Sequence, residues 1–258
     1  MDNNKPIGIF DSGIGGTSIW REIYHLLPDE KTIYLADSKN APYGQKTKNE
    51  IIALCIKNTD FLLQMDCKLI VVACNTATTN AIKELRAKYK VPFIGIEPAI
   101  KPAALNSKTQ KIGILATQGT LISELFNKTA DKFQTTKILE QVGHGLVQLI
   151  EGGKINSPEM TELLNSYLQP MIQADIDYLV LGCSHYPYLI PQIKKILPDH
   201  IHIIDSGQAV ARQTQNLLNN KVGVSSLKNN NPVFYTNTNP AVLKEILGTT
   251  YDVIQKDF

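Results

Sequence analysis

Short apolar runs rich in Ile, Val and Leu alternate along the chain with longer stretches in which apolar residues recur every three or four positions. The runs are Ile7–Phe10, Thr32–Ala36, Leu69–Ala73, Phe93–Ile96, Ile112–Ala116, Tyr178–Gly182 and Ile201–Asp205. Near-continuous apolar runs of this length predict strands of a parallel sheet buried on both faces. Between two of them, Ile51, Leu54, Cys55, Phe61, Leu62 and Met65 keep helical spacing. Thr47-Lys48-Asn49-Glu50 predicts a capping box that opens that helix. Ser157-Pro158 predicts a second helix start, with proline at the first helical position. Strands alternating with helices predict an α/β fold. Asn219–Pro232, polar and with five Asn, reads as a solvated loop.

The pattern repeats. Ile7-Gly8-Ile9-Phe10-Asp11-Ser12 is echoed by Ile112-Gly113-Ile114-Leu115-Ala116-Thr117, 105 residues on. Leu69–Ala73 runs into Cys74-Asn75-Thr76, and Tyr178–Gly182 runs into Cys183-Ser184-His185, an offset of 109 residues. Similar offsets at two separate places predict duplicated halves.

Composition narrows the class. A chain of 258 residues falls between one and two domains and buries a sizeable core without staples. The charge balance is 26 Lys+Arg against 24 Asp+Glu, or +2, with no clustered basic face for nucleic acid. No apolar run reaches the length of a membrane span. Met1–Lys5 carries no apolar signal region, so a reducing cytoplasm is the expected setting. The four cysteines, Cys55, Cys67, Cys74 and Cys183, are then expected to be thiols.

Cys55 lies on a helical apolar stripe and Cys67 just before a strand, where a free cysteine packs as a small hydrophobe. Cys74 and Cys183 differ. Each follows a predicted strand, precedes a helix and has polar neighbours. Ligands of open α/β sheets bind at the carboxyl ends of strands, and a helix N-terminus lowers a thiol pKa. No C-x-x-C supports a redox pair, and the spacing of Cys183 and His185 does not complete a tetrahedral zinc site. Two similar halves that each offer one thiol to a shared cleft suit racemisation. That reaction needs a base on one face of a carbon and an acid on the other. A two-lobed binding protein without chemistry and a redox dithiol protein are the rival readings.

Other strand ends offer candidate binding groups. Asp11-Ser12-Gly13-Ile14-Gly15-Gly16-Thr17 is a strand-to-helix turn whose N–H groups would favour an anion. It is neither a dinucleotide fingerprint nor a phosphate loop. Asp11 there could hold an ammonium group or orient a thiol. Pro42-Tyr43-Gly44 and Thr117-Gln118-Gly119-Thr120 are further polar turns, and His185 is placed to assist Cys183.

In their order along the chain, these stretches resemble the glutamate racemases, cofactor-independent members of the aspartate/glutamate racemase group. The segments that carry the resemblance are Phe10–Gly16, Ala36-Asp37-Ser38, Pro42-Tyr43-Gly44, Ala73–Ala77, Gly95-Ile96-Glu97-Pro98, Ala116–Thr120, Gly182–Pro187 and Ile204-Asp205-Ser206. The resemblance implies two pseudo-symmetric α/β lobes, each with a mostly parallel sheet flanked by helices, and an active site in the cleft between them. It places residues 1–97 and 207–258 in the first lobe and 98–206 in the second. It implies interconversion of L- and D-glutamate for peptidoglycan synthesis, without pyridoxal phosphate, another cofactor or a metal. Cys74 and Cys183 match the paired acid/base thiols. Asp11 matches the carboxylate beside the first, His185 the residue beside the second, and Glu151 an acidic helper there. Asp11, Ser12, Tyr43, Gly44, Asn75, Thr76, Ser184 and His185 match the substrate shell, with Thr117 and Thr120 in the same pocket. Ser184 stands where threonine is usual, which keeps the hydroxyl and drops a methyl beside Cys183. A related racemase acting on aspartate or another amino acid is the alternative. The expected partner is the small substrate alone, with no nucleic acid and no membrane, and a homodimer is left open.

Overall fold

A computed structural model describes residues 3–228, 231–248 and 250–258. The first half runs β1 (Ile7–Asp11), α1 (Thr17–Leu26), β2 (Thr32–Ala36), α2 (Lys48–Gln64), β3 (Leu69–Val72), α3 (Asn75–Lys88) and β4 (Phe93–Gly95). The second runs α4 (Ile100–Asn106), β5 (Lys111–Ala116), α5 (Gln118–Leu121), α6 (Glu124–Ala130), β6 (Lys137–Val142), α7 (Leu146–Glu151), α8 (Pro158–Gln173), β7 (Tyr178–Gly182), α9 (Ile190–Ile196) and β8 (His202–Ile204). The chain closes with α10 (Gly207–Leu217), β9 (Val233–Thr236), α11 (Ala241–Leu247) and β10 (Val253–Gln255).

All seven predicted strands form, and they pair in parallel. One sheet has the order β10-β9-β2-β1-β3-β4 and the other β6-β5-β7-β8. The core of the first, β2-β1-β3-β4, has the same connectivity as the whole of the second, so the sequence repeat is a repeat of topology. Every residue of β1, β2 and β3 is buried, as expected for strands covered by helices on both faces.

Three further strands lie outside the seven predicted. β6 is an edge strand with no fully buried residue, so Lys137, Glu140 and Gln141 are tolerated in it. β9 and β10 are three or four residues long and extend the first sheet beyond β2. Within the stretch read as a solvated loop, Leu218–Val222 instead winds as a π-helical turn continuing α10. Asn229 and Asn230 of that stretch lie outside the described residues.

Local signals act as expected. Thr47 Oγ1 accepts from Glu50 N, and Glu50 returns by accepting from Thr47 N at 2.8 Å, which caps α2 reciprocally. Ser157 caps α8 by accepting from Met160 N at 3.2 Å. Trp20 on α1 donates its indole N–H to Thr32 Oγ1 at 3.0 Å and packs edge-on against Phe234, joining α1 to β2 and β9. Where the chain leaves the first sheet near Glu97 and returns near Ser206, Ser206 Oγ donates to the Glu97 carbonyl and pins the two crossings together.

Cys55 and Cys67 are buried in the apolar cluster between α2, α3 and the first sheet. Burial first, and then the charge of Asp66, pushes the Cys67 thiol up to about 12, consistent with a packing role. A buried ion pair, Lys68 to Glu30 at 2.8 Å, ties the start of β3 to the turn before β2. Glu30 also accepts from Ser225 N, and Lys68 also donates to the carbonyls of Asn3 and Gly223. Removing one partner strands a buried charge. Lys68→Met is therefore expected to cost about 3 kcal/mol or more, and Lys68→Met with Glu30→Gln to recover part of it. Urea unfolding of the two variants checks the order.

Candidate active site

The carboxyl ends of both sheets point at one another, and the candidate residues stand on them. Asp11 ends β1, Asp37 follows β2 and Cys74 follows β3. From the other sheet, Thr117 follows β5, the turn at Gly143–Gly145 follows β6 and Cys183 follows β7. Between them lies a cavity lined by Ser12, Tyr43, Asn75 and Thr76 with Cys74 on one side, and by Thr117, Ser184 and His185 with Cys183 on the other. Its free space is about 10 Å³, close to the minimum for one water molecule. A second space of about 30 Å³ opens beside it and shares Pro42, Gly44, Thr117 and Val147 as walls.

Three expected site residues stand behind these walls. Asp11 is fully buried; one oxygen accepts from Gly13 N at 3.1 Å and Gly16 N at 3.0 Å. Its other oxygen accepts from Ser184 Oγ at 2.9 Å, so the hydroxyl kept at position 184 reaches across to the first sheet. Thr120, expected in the pocket, sits behind Thr76 and Thr117. The three hydroxyls form a triangle, with 2.7 Å between Thr76 and Thr117 and 3.3 Å between Thr76 and Thr120. Glu151, the last residue of α7, is no solvated helix end. Its Oε1 accepts from His185 Nε2 at 2.6 Å and from Ile14 N at 2.7 Å. Its Oε2 accepts from Ser38 Oγ at 2.8 Å.

The anion taken by the glycine-rich turn is thus the protein's own. The glycines also let the two sides touch. A Cβ on Gly13 would lie 1.8 Å from Glu151 Oε1, and one on Gly15 would lie 2.2 Å from His185 Nδ1. Further bonds run along the same seam. Ser18 Oγ donates to the Ser184 carbonyl at 2.8 Å, Thr17 meets Tyr188, and Asn80 Nδ2 donates to the Gly119 carbonyl at 2.9 Å.

Electrostatics differ from the simple helix-terminus expectation at Cys74. Its sulfur is the N-cap of α3, accepts from Ala77 N at 3.4 Å and lies 3.6 Å from Ser12 Oγ. Burial, and then the charge of Asp11, nonetheless outweigh those donors and push the thiol well up. Burial likewise raises Asp11, against the pull of His185 and the bond from Gly16. At His185, burial alone disfavours the imidazolium, but the bonds to Cys183 and Glu151 and the charge of Asp11 hold its pKa well above the usual 6.5. Nδ1 of the same ring faces Cys183 Sγ at 3.8 Å. Asn75 is 2 % exposed, and both its amide oxygen and nitrogen lack a hydrogen-bond partner. An unpaired buried amide on a cavity wall is free to pair with a molecule in the cavity.

Asp37 was part of a quoted motif without a role. It is fully buried and accepts from Tyr43 OH and from the amides of Asn40 and Asn237. That network fixes the turn carrying Tyr43 and Gly44. Only its place after a strand hinted at it.

The family profile described as Asp/Glu/hydantoin racemase matches residues 15–214. The chain belongs to this family. It is 49% identical over 208 residues to the glutamate racemase of Ralstonia pickettii, covering 80% of this chain and 74% of that one. Its fold superposes on the glutamate racemase isoform RacE1 of Bacillus anthracis with a TM-score of 0.89, at 31% identity, over 99% of this chain and 98% of that one. It superposes equally broadly on the Escherichia coli glutamate racemase solved with L-glutamate and an activator, UDP-MurNAc-Ala. There the TM-score is 0.86 at 31% identity over 97% of each chain. This racemase is therefore an isomerase, and its two-sheet architecture is that of the glutamate racemases.

Two outcomes follow from the geometry. Gly15→Ala should leave the fold intact and lower racemase activity by roughly 100-fold, since ångström-scale misplacement of a reacting group costs that much; circular dichroism of the fold and of turnover checks both. For His185, the folded pKa lies above the unfolded one. Its stabilisation is complete below about 6.5 and is lost as pH rises through the folded value. The stability margin of the wild type over His185→Gln should shrink with rising pH above about 6.5, as measured by urea unfolding at several pH values.

Proposed function

We propose that this racemase interconverts L- and D-glutamate with two thiols, Cys74 and Cys183, set on opposite faces of the substrate α-carbon. The observation that carries this is the pairing of the two. Each caps the carboxyl end of an equivalent strand in a duplicated topology, and both line one cavity. One side chain cannot serve both faces of a carbon, and two related lobes supply one each. The lobes are taken as residues 1–97 with 207–258, and 98–206.

Substrate enters as the lobes part, because the closed cavity holds about one water. The unpaired amide of Asn75, the hydroxyls of Ser12, Thr76, Thr117 and Ser184, and the Tyr43-Gly44 turn then bind its carboxylates and ammonium group. One sulfur, as thiolate, takes the α-proton. The electron pair left on carbon is stabilised by fixed donors in a site that closure dries. The other sulfur, as thiol, delivers its proton to the opposite face, and the roles exchange in the reverse direction. Asp11 serves as the proton partner on the Cys74 side. The His185–Glu151 pair serves on the Cys183 side, where an imidazolium faces the sulfur. Thr120 holds Thr76 and Thr117 in place from behind.

The product, D-glutamate, suits peptidoglycan synthesis, and the expected setting is the cytoplasm. Among the described residues no helix is long and apolar enough to cross a membrane. A homodimer remains compatible with this reading.

Cys74→Ala and Cys183→Ala should each abolish racemisation in both directions. In deuterated water the wild type should place deuterium at the α-carbon of the product enantiomer. Turnover should be faster with L-glutamate than with L-aspartate, followed by circular dichroism. Full two-way turnover by either cysteine variant would contradict the mechanism.

A further inference from the structure

Ser38 has no assigned part in the chemistry, yet it makes the bond that fixes the second oxygen of Glu151. It lies in the first lobe, one residue beyond Asp37 and two beyond the end of β2, and is half-buried. Glu151 Oε1 is engaged by Ile14 N and His185 Nε2. With that oxygen alone held, the carboxylate can still rotate about its last side-chain bond. The hydroxyl of Ser38, 2.8 Å from Oε2, sets the carboxylate plane.

The mount is firm. Asp37, directly before Ser38, is fully buried and held by Tyr43, Asn40 and Asn237. Lys39 N, directly after it, donates to Asn237 Oδ1 at 2.9 Å. Glu151 needs such support, since it ends α7 and is followed by Gly152 and Gly153, the latter with φ +69°. No side chain from its own lobe steadies Oε2 in the hydrogen bonds among the described residues. A hydroxyl bonded to an ionised carboxylate is stronger than a neutral pair.

We propose that Ser38 is a positioning residue for the Cys183 half of the site. Donated across the cleft, its hydroxyl orients Glu151, which in turn aims the His185 ring at the Cys183 sulfur. The proposal rests on the two-thiol reading above. It adds that the lobe carrying Cys74 prepares the opposite thiol, and does so only when the lobes are closed. The bond from Ser38 and the bond from Ile14 both cross between lobes, so parting the lobes releases Glu151 from both. The effect on catalysis is confined to one face of the substrate. Ser38 touches neither Cys74 nor Ser12 nor Asp11 in any hydrogen bond of the described residues.

The test uses the full chain with Ser38→Ala, Ser38→Val and Ser38→Thr. Valine and threonine match in size and differ in the hydroxyl, so a folding defect from bulk would strike both and leave their contrast readable. Steady-state racemisation is measured in both directions with α-protiated and α-deuterated L- and D-glutamate. The equilibrium constant between enantiomers is unity, so kcat/KM falls equally in both directions when one proton transfer is slowed. The isotope effects do not, because the slowed step becomes more limiting for the enantiomer it deprotonates. Cys74→Ser and Cys183→Ser provide the references for the two faces.

Ser38→Ala and Ser38→Val should lower kcat/KM roughly tenfold or more, the scale of one hydrogen bond to a charged group. Ser38→Thr should retain most of it. The two isotope effects in Ser38→Ala should move in the sense of Cys183→Ser, raised for the same enantiomer. Wild-type rates in Ser38→Ala and Ser38→Val, equal shifts for both enantiomers, or a shift in the sense of Cys74→Ser would overturn the proposal. So would a threonine variant as impaired as the valine one. Full two-way turnover by Cys183→Ala would instead overturn the two-thiol reading itself, whatever the Ser38 variants do.

Discussion

The carboxylate of Glu151 joins the two halves of this molecule at their chemistry. It accepts from Ile14 N and Ser38 Oγ on one lobe and from His185 Nε2 on the other. Those bonds require the lobes to meet without intervening side chains, which is why residues 13 and 15 are glycines whose Cβ atoms would overlap Glu151 and His185. Ser184 makes the reciprocal connection by donating to the buried Asp11. Each half of the site is thus completed by a group from the other.

Closure also sets the electrostatics. A helix N-terminus would by itself favour a thiolate at Cys74, and the bond from Ala77 N is there to do so. Burial, reinforced by Asp11, wins and holds the proton on sulfur. On the opposite side, hydrogen bonds win over burial and raise the His185 pKa. The two lobes share a topology and a thiol but surround their thiols differently. In a dry site these differences are stronger than they would be in water.

Much of this was legible in the amino-acid sequence because its cause is local. Strands buried on both faces must be apolar throughout, so β1, β2, β3, β5 and β7 stood out. The recurrence of Cys74-Asn75-Thr76 and Cys183-Ser184-His185 after such strands marked the two thiols, while Cys55 on an apolar helical stripe and Cys67 just before a strand read as packing residues. What was hidden depends on long-range contact. β6 and β10 are edge strands with few buried residues, and β9, despite its Val233-Phe234-Tyr235 run, is only four residues long. Glu151 and Ser38 are 113 residues apart, and nothing around either hints at the other; Glu151 entered through family resemblance alone. The glycine-rich turn showed its capacity for an anion, but only the fold reveals that the anion is a side chain of the opposite lobe. Thr120 carries the hydroxyl expected of a pocket residue, and its place behind Thr117 follows from the first turn of α5.

The central claim is that the two sulfurs flank one carbon from opposite sides in the closed site. A crystal structure of the full chain with D-glutamate bound tests it most directly. The account predicts Cys74 Sγ and Cys183 Sγ on opposite faces of the α-carbon, each about 3.5 Å away, the separation of groups poised to react. Both sulfurs on one face, or one of them turned out of the cleft with the lobes closed on substrate, would contradict it.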